Sequence, residues 1–275
     1  MTKTFAGFSL DRPLLMGIVN ATPDSFSDGG EAFALDDAVA QGLRLVDEGA
    51  DIIDVGGEST RPGAEPVSIE EELRRTIPVV KALSEAGVCV SIDTRHAVVM
   101  EEALAAGADI VNDVTALSGD NRALDVVAHA GVPVILMHMQ GEPGTMQTEP
   151  SYEDAPKEIL DYLTRRVQAC EAAGIERTKI AIDPGIGFGK TVQHNLEILK
   201  HLGSYDQLGL PVLLGVSRKS FIAKVTGVDD PKARVPGSIA AALAGIARGV
   251  NILRVHDVAA TKQALDIWRA IEAVD

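Results

Sequence analysis

Asp93 and Asp183 each close a short apolar run, Asn112 lies on a run between them, and Arg254 is followed two residues later by His256. Carboxylates at such positions can act as metal ligands, general bases, or acceptors for a polar heterocycle. Two carboxylates and one amide are a thin ligand set for a metal, and no H-E-x-x-H motif or cysteine cluster supplements them. An N–H/NH₂ ring edge, as in a 2-aminopyrimidinone, suits them better, because one carboxylate can accept from it in two parallel hydrogen bonds. Capping of a following helix is the plainer use for any one of them taken alone.

The second group is cationic. Arg61, Lys219, Arg254 and His256 fall in or beside loops. Side chains alternate along a strand, so Arg254 and His256 face the same way. Together they predict an anion site; Arg218, beside Lys219, reads instead as a salt-bridge residue. A third group is the segment Asn20-ATPDSFSDGG, with three hydroxyls, Asp24, Asp28 and a Gly29-Gly30 hinge. Asn20 could give Mg²⁺ a neutral oxygen, with waters and phosphates completing the shell; turn chemistry alone also explains such stretches. His138 and His256 end apolar runs, but no G-x-S-x-G nucleophile accompanies them.

The elements that must carry these groups are legible as a repeat. Seven times a glycine is soon followed by a short Val/Ile/Leu-rich run ending in a polar residue, from Gly49-ADIID to Gly249-VNILRVH; Leu14-LMGIVN opens the series. The glycines mark helix ends in the left-handed conformation. The runs have the character of strands buried on both faces of a parallel sheet. Helices are expected near 69–86, 95–106, 121–130, 152–173, 192–202, 236–248 and 259–272. A first helix precedes them, with Val39, Leu43, Val46 and Ala50 on one face. Eight strand–helix pairs in 275 residues predict an α/β fold, a single (β/α)₈ TIM barrel spanning 1–275. Enlarged βα loops 1, 2, 5 and 7 are expected at 21–35, 56–68, 139–151 and 217–235. Alternation alone also permits an open doubly wound sheet, though no G-x-G-x-x-G follows the first strand.

The formal charge of −15 argues against a general nucleic-acid binder. Cys89 and Cys170 read as buried free thiols of a reducing cytosol. No run is long enough for a membrane span, and a cytoplasmic location is expected.

The sequence resembles the dihydropteroate synthase family along nearly its whole length. The resemblance is carried by MGIVNATPDSFSDGG at 16–30, DIIDVGGESTRPGAEPVS at 51–68, SIDT at 91–94, NDV at 112–114, LMHMQGEPGTMQ at 136–147, DPGIGFGK at 183–190, SRKSF at 217–221, GSIAAAL at 237–243 and RVHDV at 254–258. It implies condensation of 6-hydroxymethyl-7,8-dihydropterin diphosphate with 4-aminobenzoate to 7,8-dihydropteroate, with Mg²⁺ as cofactor, sulfonamides as inhibitors and a homodimer as the assembly. It further implies a pterin pocket of Asp93, Asn112, Met139, Asp183, Gly215, Lys219 and Arg254. Asn20, Arg254 and His256 would hold diphosphate, with Asn20 on the metal. Thr60, Arg61, Pro62, Phe188, Ser217 and Lys219 would surround aminobenzoate. Asp93, Asp28, Lys219 and Arg254 would be the catalytic set. Ala21 and Ala233 depart from the family's usual residues and touch none of these contacts. A methyltransferase acting on methyltetrahydrofolate would share the Asp/Asn/Asp contacts without needing the GGESTRPG loop or the Arg254/His256 pair. A non-catalytic pterin-binding paralogue would be expected to have lost a loop residue.

Overall fold

The computed structural model describes residues 3–21, 30–58, 67–142 and 144–274, with side chains omitted at 30–34. A short hairpin, β1 (Thr4–Phe5) and β2 (Phe8–Ser9), comes first. The barrel strands are β3 (Leu14–Asn20), β4 (Ile52–Gly56), β5 (Val90–Asp93), β6 (Ile110–Asp113), β7 (Val134–Met137), β8 (Ile180–Asp183), β9 (Leu213–Leu214) and β10 (Ile252–Val255). All pair in parallel, in the order β8-β7-β6-β5-β4-β3-β10-β9. A parallel bridge between Ile182 and Val212, with Ile182 N donating to Pro211 O at 2.9 Å, joins β8 to the start of β9. The ring therefore closes, and the fold is a (β/α)₈ TIM barrel rather than an open sheet.

The helices are α1 (Gly30–Asp47), α2 (Ile69–Glu85), α3 (Ala97–Ala105), α4 (Ala123–Ala130), α5 (Ala155–Ala172), α6 (Val192–Lys200), α7 (Ser220–Thr226), α8 (Val235–Ile246) and α9 (Val258–Glu272). The seven strand-launching glycines all have positive φ, from +64° at Gly131 and Gly209 to +106° at Gly49. That conformation ends each helix and turns the chain toward the next strand.

Three sequence expectations need correction, and one element was not expected at all. Segment 217–235 is not simply a long loop: it holds α7 and a 3-10 turn at Pro231–Arg234. The first long loop is shorter than 21–35, because α1 starts at Gly30. Of the first helix's predicted face, Val39 and Val46 pack against the core and Ala50 is buried, but Leu43 is exposed and Ala38 and Leu45 take the deepest places. The hairpin was not foreseen, since runs of two residues carry no periodicity.

The hairpin has a purpose in the packing. Ala6 and Gly7 both take positive φ, the geometry of a tight two-residue turn. It delivers Phe5 into a buried cluster with Leu14, Met16, Ile52, Ile110, Ile135, Ala181, Leu213 and Ile252. These are barrel-interior residues from seven strands, so Phe5 plugs the floor. The larger apolar cluster lies between strands and helices. Phe5→Ala should cost about 3–5 kcal/mol through the cavity it leaves. Thermal melting checks this. The variant should melt well below wild type yet keep its ligand affinities, because the plug lies at the opposite end from the strand-end polar groups.

Candidate active site

Parallel strands place every carboxyl end on one face. There the guanidinium of Arg254 on β10 reaches across the mouth: Nε donates to Asp54 Oδ2 at 2.6 Å, and Nη2 to Asp93 Oδ2 at 2.7 Å. Asn112 donates to the same Asp54 oxygen at 3.2 Å. Three strands are thus tied by one cation, and a fourth joins them through Asn112 and Asp54. Asp54 is fully buried, and its Oδ1 has no hydrogen bond among the described residues. Burial pushes the Asp93 carboxyl up to about 7; Arg254 opposes this, and Asp54, Glu72 and Asp113 add to it.

On the other side, buried Asp183 accepts from Gly185 N at 2.7 Å. Burial raises its pKa against the pull of Lys219. Lys219 starts α7 and hydrogen-bonds the carbonyl of Ile186. Its Nζ stands 4.6 Å from the centre of the Phe188 ring. Burial lowers Lys219 to about 8, with Asp183 working the other way. Gly215 lies between the two cations: a Cβ there would be 3.8 Å from Lys219 Nζ and 3.9 Å from Arg254 Cβ.

Ser217 and His256 are linked twice, Ser217 Oγ to His256 Nδ1 at 3.0 Å and His256 N to Ser217 Oγ at 3.1 Å. Between Ser217 and Lys219, Arg218 adopts φ +59°, a conformation rarely taken outside glycine. It is held there by Asp257 at 2.9 and 2.5 Å, by Ser238 Oγ on its amide and by Arg234 on its carbonyl. The salt bridge expected of Arg218 exists, and it is half-buried and shapes the site. Asn20 is half-buried at the end of β3. Met139 lines a 250 Å³ cleft with Arg95, His96, Thr115 and Tyr162. Asp28, Thr60, Arg61 and Pro62 lie outside the described residues.

Several important groups escaped the sequence reading. Asp54 was seen as a strand-end residue but given no role, because nothing in the sequence shows that Arg254 would be shared. Glu72, one of three acids in the first turn of α2, drew no notice in the sequence. It is buried, neither oxygen has a hydrogen bond among the described residues, and burial raises its carboxyl to about 7. Lys190 closes DPGIGFGK and is also buried. For Glu72, helical phase was the available signal: Thr76, Val79 and Leu83 share its face.

The fold and site define a barrel enzyme with a polar, charged pocket at its strand ends. A profile described as "Pterin binding enzyme" matches residues 16–256. The dihydropteroate synthase of Haemophilus influenzae is 49% identical over 95% of this chain and 94% of its own. Among solved structures, Xanthomonas albilineans dihydropteroate synthase with 4-aminobenzoic acid has a TM-score of 0.92 at 51% identity, covering 98% of this chain and 96% of that one. The Yersinia pestis dihydropteroate synthase in a sulfonamide drug complex has a TM-score of 0.92 at 45% identity over 100% of both. The chain belongs to the pterin-binding enzymes and, within them, to the dihydropteroate synthase family.

The two perturbed groups fix a pH window. Asp93 is ionised only above about 7, and Lys219 keeps its proton only below about 8. If both charges are needed, kcat/KM should fall on the acid side as Asp93 takes its proton. It should fall again on the alkaline side as Lys219 loses one. Initial rates from pH 5.5 to 9.5 test this, and a flat profile would contradict it.

Proposed function

We infer that this enzyme joins 6-hydroxymethyl-7,8-dihydropterin diphosphate to 4-aminobenzoate, forming 7,8-dihydropteroate and releasing diphosphate. The observation that carries this reading is the pair of acids, partly buried Asp93 and buried Asp183, standing with Asn112 beside Arg254 and Lys219 at the barrel mouth. Asp183 and Asn112 suit the donor and acceptor edge of a pterin ring. Lys219 and Phe188 form one wall against a flat arene, completed by Ser217 and, in the resemblance, by Thr60, Arg61 and Pro62. Arg254 and His256 offer charge to diphosphate.

Loss of diphosphate leaves positive charge on the pterin methylene, which ionised Asp93 favours, with Asp28 assigned to help it. The arylamine then attacks and releases a proton. The residues mainly supply position and fixed charge.

We assign Mg²⁺ to Asn20. Among the described residues no three His, Cys, Asp or Glu side chains gather as a metal site. Asn20, half-buried at the end of β3, offers a neutral amide oxygen as one ligand. That donor set fits an ion held chiefly by water and phosphate oxygens. When bound, the ion neutralises leaving-group charge.

Sulfonamides should compete with aminobenzoate at the Phe188–Lys219 wall. We further propose a single-domain protein of the cytoplasm that works as a homodimer. Ile267 and Ile271 on α9 are 62% and 65% exposed, one helical turn apart, which favours a partner there. Among the described residues no helix is long and apolar enough to cross a membrane.

The test is direct: purified protein with both substrates and Mg²⁺ should yield dihydropteroate and diphosphate in equal amounts. Asp183→Asn should bind pterin roughly ten- to a hundredfold more weakly, because an amide donor would meet a ring donor at ~1–3 kcal/mol. No product from wild type, or wild-type pterin affinity in the variant, would count against the reading.

A further inference from the structure

The segment 184–191 between β8 and α6 carries Phe188 and has almost no backbone ladder of its own. Four consecutive carbonyls in it are instead held by side chains. Ile186 O receives Lys219 Nζ, Gly187 O receives Gln147 Nε2 at 2.6 Å, Phe188 O receives Lys190 Nζ at 2.8 Å, and Gly189 O receives the Tyr152 hydroxyl at 2.9 Å. Two of these donors, Gln147 and Tyr152, come from the stretch after β7. The two stretches also touch backbone to backbone: a Cβ on Gly185 would lie 2.0 Å from His138 O, and one on Gly189 2.3 Å from Gln140 O.

Lys190 is the centre of this arrangement. Its amino group reaches Phe188 O at 2.8 Å, His138 Nδ1 at 3.0 Å and His138 O at 3.3 Å. Three hydrogen-bond partners surround the amino nitrogen, and the residue is 2% exposed, so water has little access to replace them. His138 is suited to accept. Burial, and then the charge of Lys190, lower it to about 3, which keeps the ring neutral. The ring is fixed edge-on against Tyr162 at 4.9 Å. Burial also lowers Lys190 itself, with Asp183 favouring its charge.

We propose that Lys190 is a positioning residue for the second substrate: clamped on His138, it fixes the Phe188 backbone and so holds the Phe188 ring against Lys219. This rests on the reading of Phe188 and Lys219 as aminobenzoate contacts. Lys190 touches no substrate. Its effect is on the distance between an aromatic wall and a cation, which sets how well a flat anionic arene fits. Of the pterin contacts, Asp93, Asn112 and Arg254 are on β5, β6 and β10, outside the clamp, while Asp183, Met139 and Lys219 border it and make none of the three hydrogen bonds of the Lys190 amino group.

The test compares wild type with Lys190→Met and Tyr152→Phe by steady-state kinetics in both substrates, with thermal melting to verify folding. Lys190→Met should raise KM for aminobenzoate about tenfold and leave KM for pterin diphosphate within about twofold. Tyr152→Phe removes one donor without changing the ring, and should move aminobenzoate KM the same way by about threefold. Should Lys190→Met not fold, Tyr152→Phe decides. A folded variant with unchanged aminobenzoate KM overturns the proposal, and so does an equal rise in both KM values. Wild type that makes no product overturns the functional reading, and the proposal falls with it. Wild type that works while the variants match it leaves the function standing and removes only the clamp.

Discussion

Everything at the mouth of this barrel depends on one shared cation. Arg254 is bonded at once to Asp54 and Asp93, which belong to different strands and would repel each other if left alone. Removing two carboxylates from water is costly unless a counter-charge and hydrogen bonds are supplied at good geometry. The planar guanidinium supplies both, with two separate N–H groups pointing at two acceptors. Asn112 uses a remaining lone pair of Asp54. The result is a rigid polar floor on which a substrate can be bound without first reorganising the protein.

The same logic extends outward. Lys219 stands over Phe188 and bonds the backbone of its segment, and Ser217 and His256 are bonded to each other. The Arg218–Asp257 pair holds the intervening backbone in a conformation it would not choose alone. The substrate-facing groups are therefore braced by one another and, at Arg218, by a pair assigned to no substrate. The barrel provides the frame, with Phe5 closing the far end.

How much of this was legible in the sequence divides along physical lines. The repeat of glycine, apolar run and polar terminus gave eight parallel strands, since period and left-handed glycines are local properties. The polar ends Asp93, Asn112, Asp183, Ser217 and Arg254 do sit on one face, which follows from parallel pairing. Partnerships across the ring were not legible. Nothing local says that Arg254 would choose Asp54, or that Lys190 would sit under His138 some fifty positions away. Glu72 was hidden by its neighbours: in a run of three glutamates only helical phase separates the buried one from the solvated two. The short helix α7 was missed because Gly, Pro and Asp crowd around a span of barely two turns.

The central claim, that the Arg254 guanidinium lowers the cost of ionising Asp93 beside Asp54 in the interior, is tested most directly by melting Arg254→Met and wild type from pH 5 to 8. Burial already pushes Asp93 up to about 7 against the pull of Arg254, and without the guanidinium it should rise further. The folded state then loses stability as pH rises between the unfolded and folded values. At pH 8 the variant should be less stable by about 3–5 kcal/mol, and the gap should shrink toward pH 5 as Asp93 takes up its proton in both proteins. A gap of the same size at both ends of the range, or none at pH 8, would contradict the account.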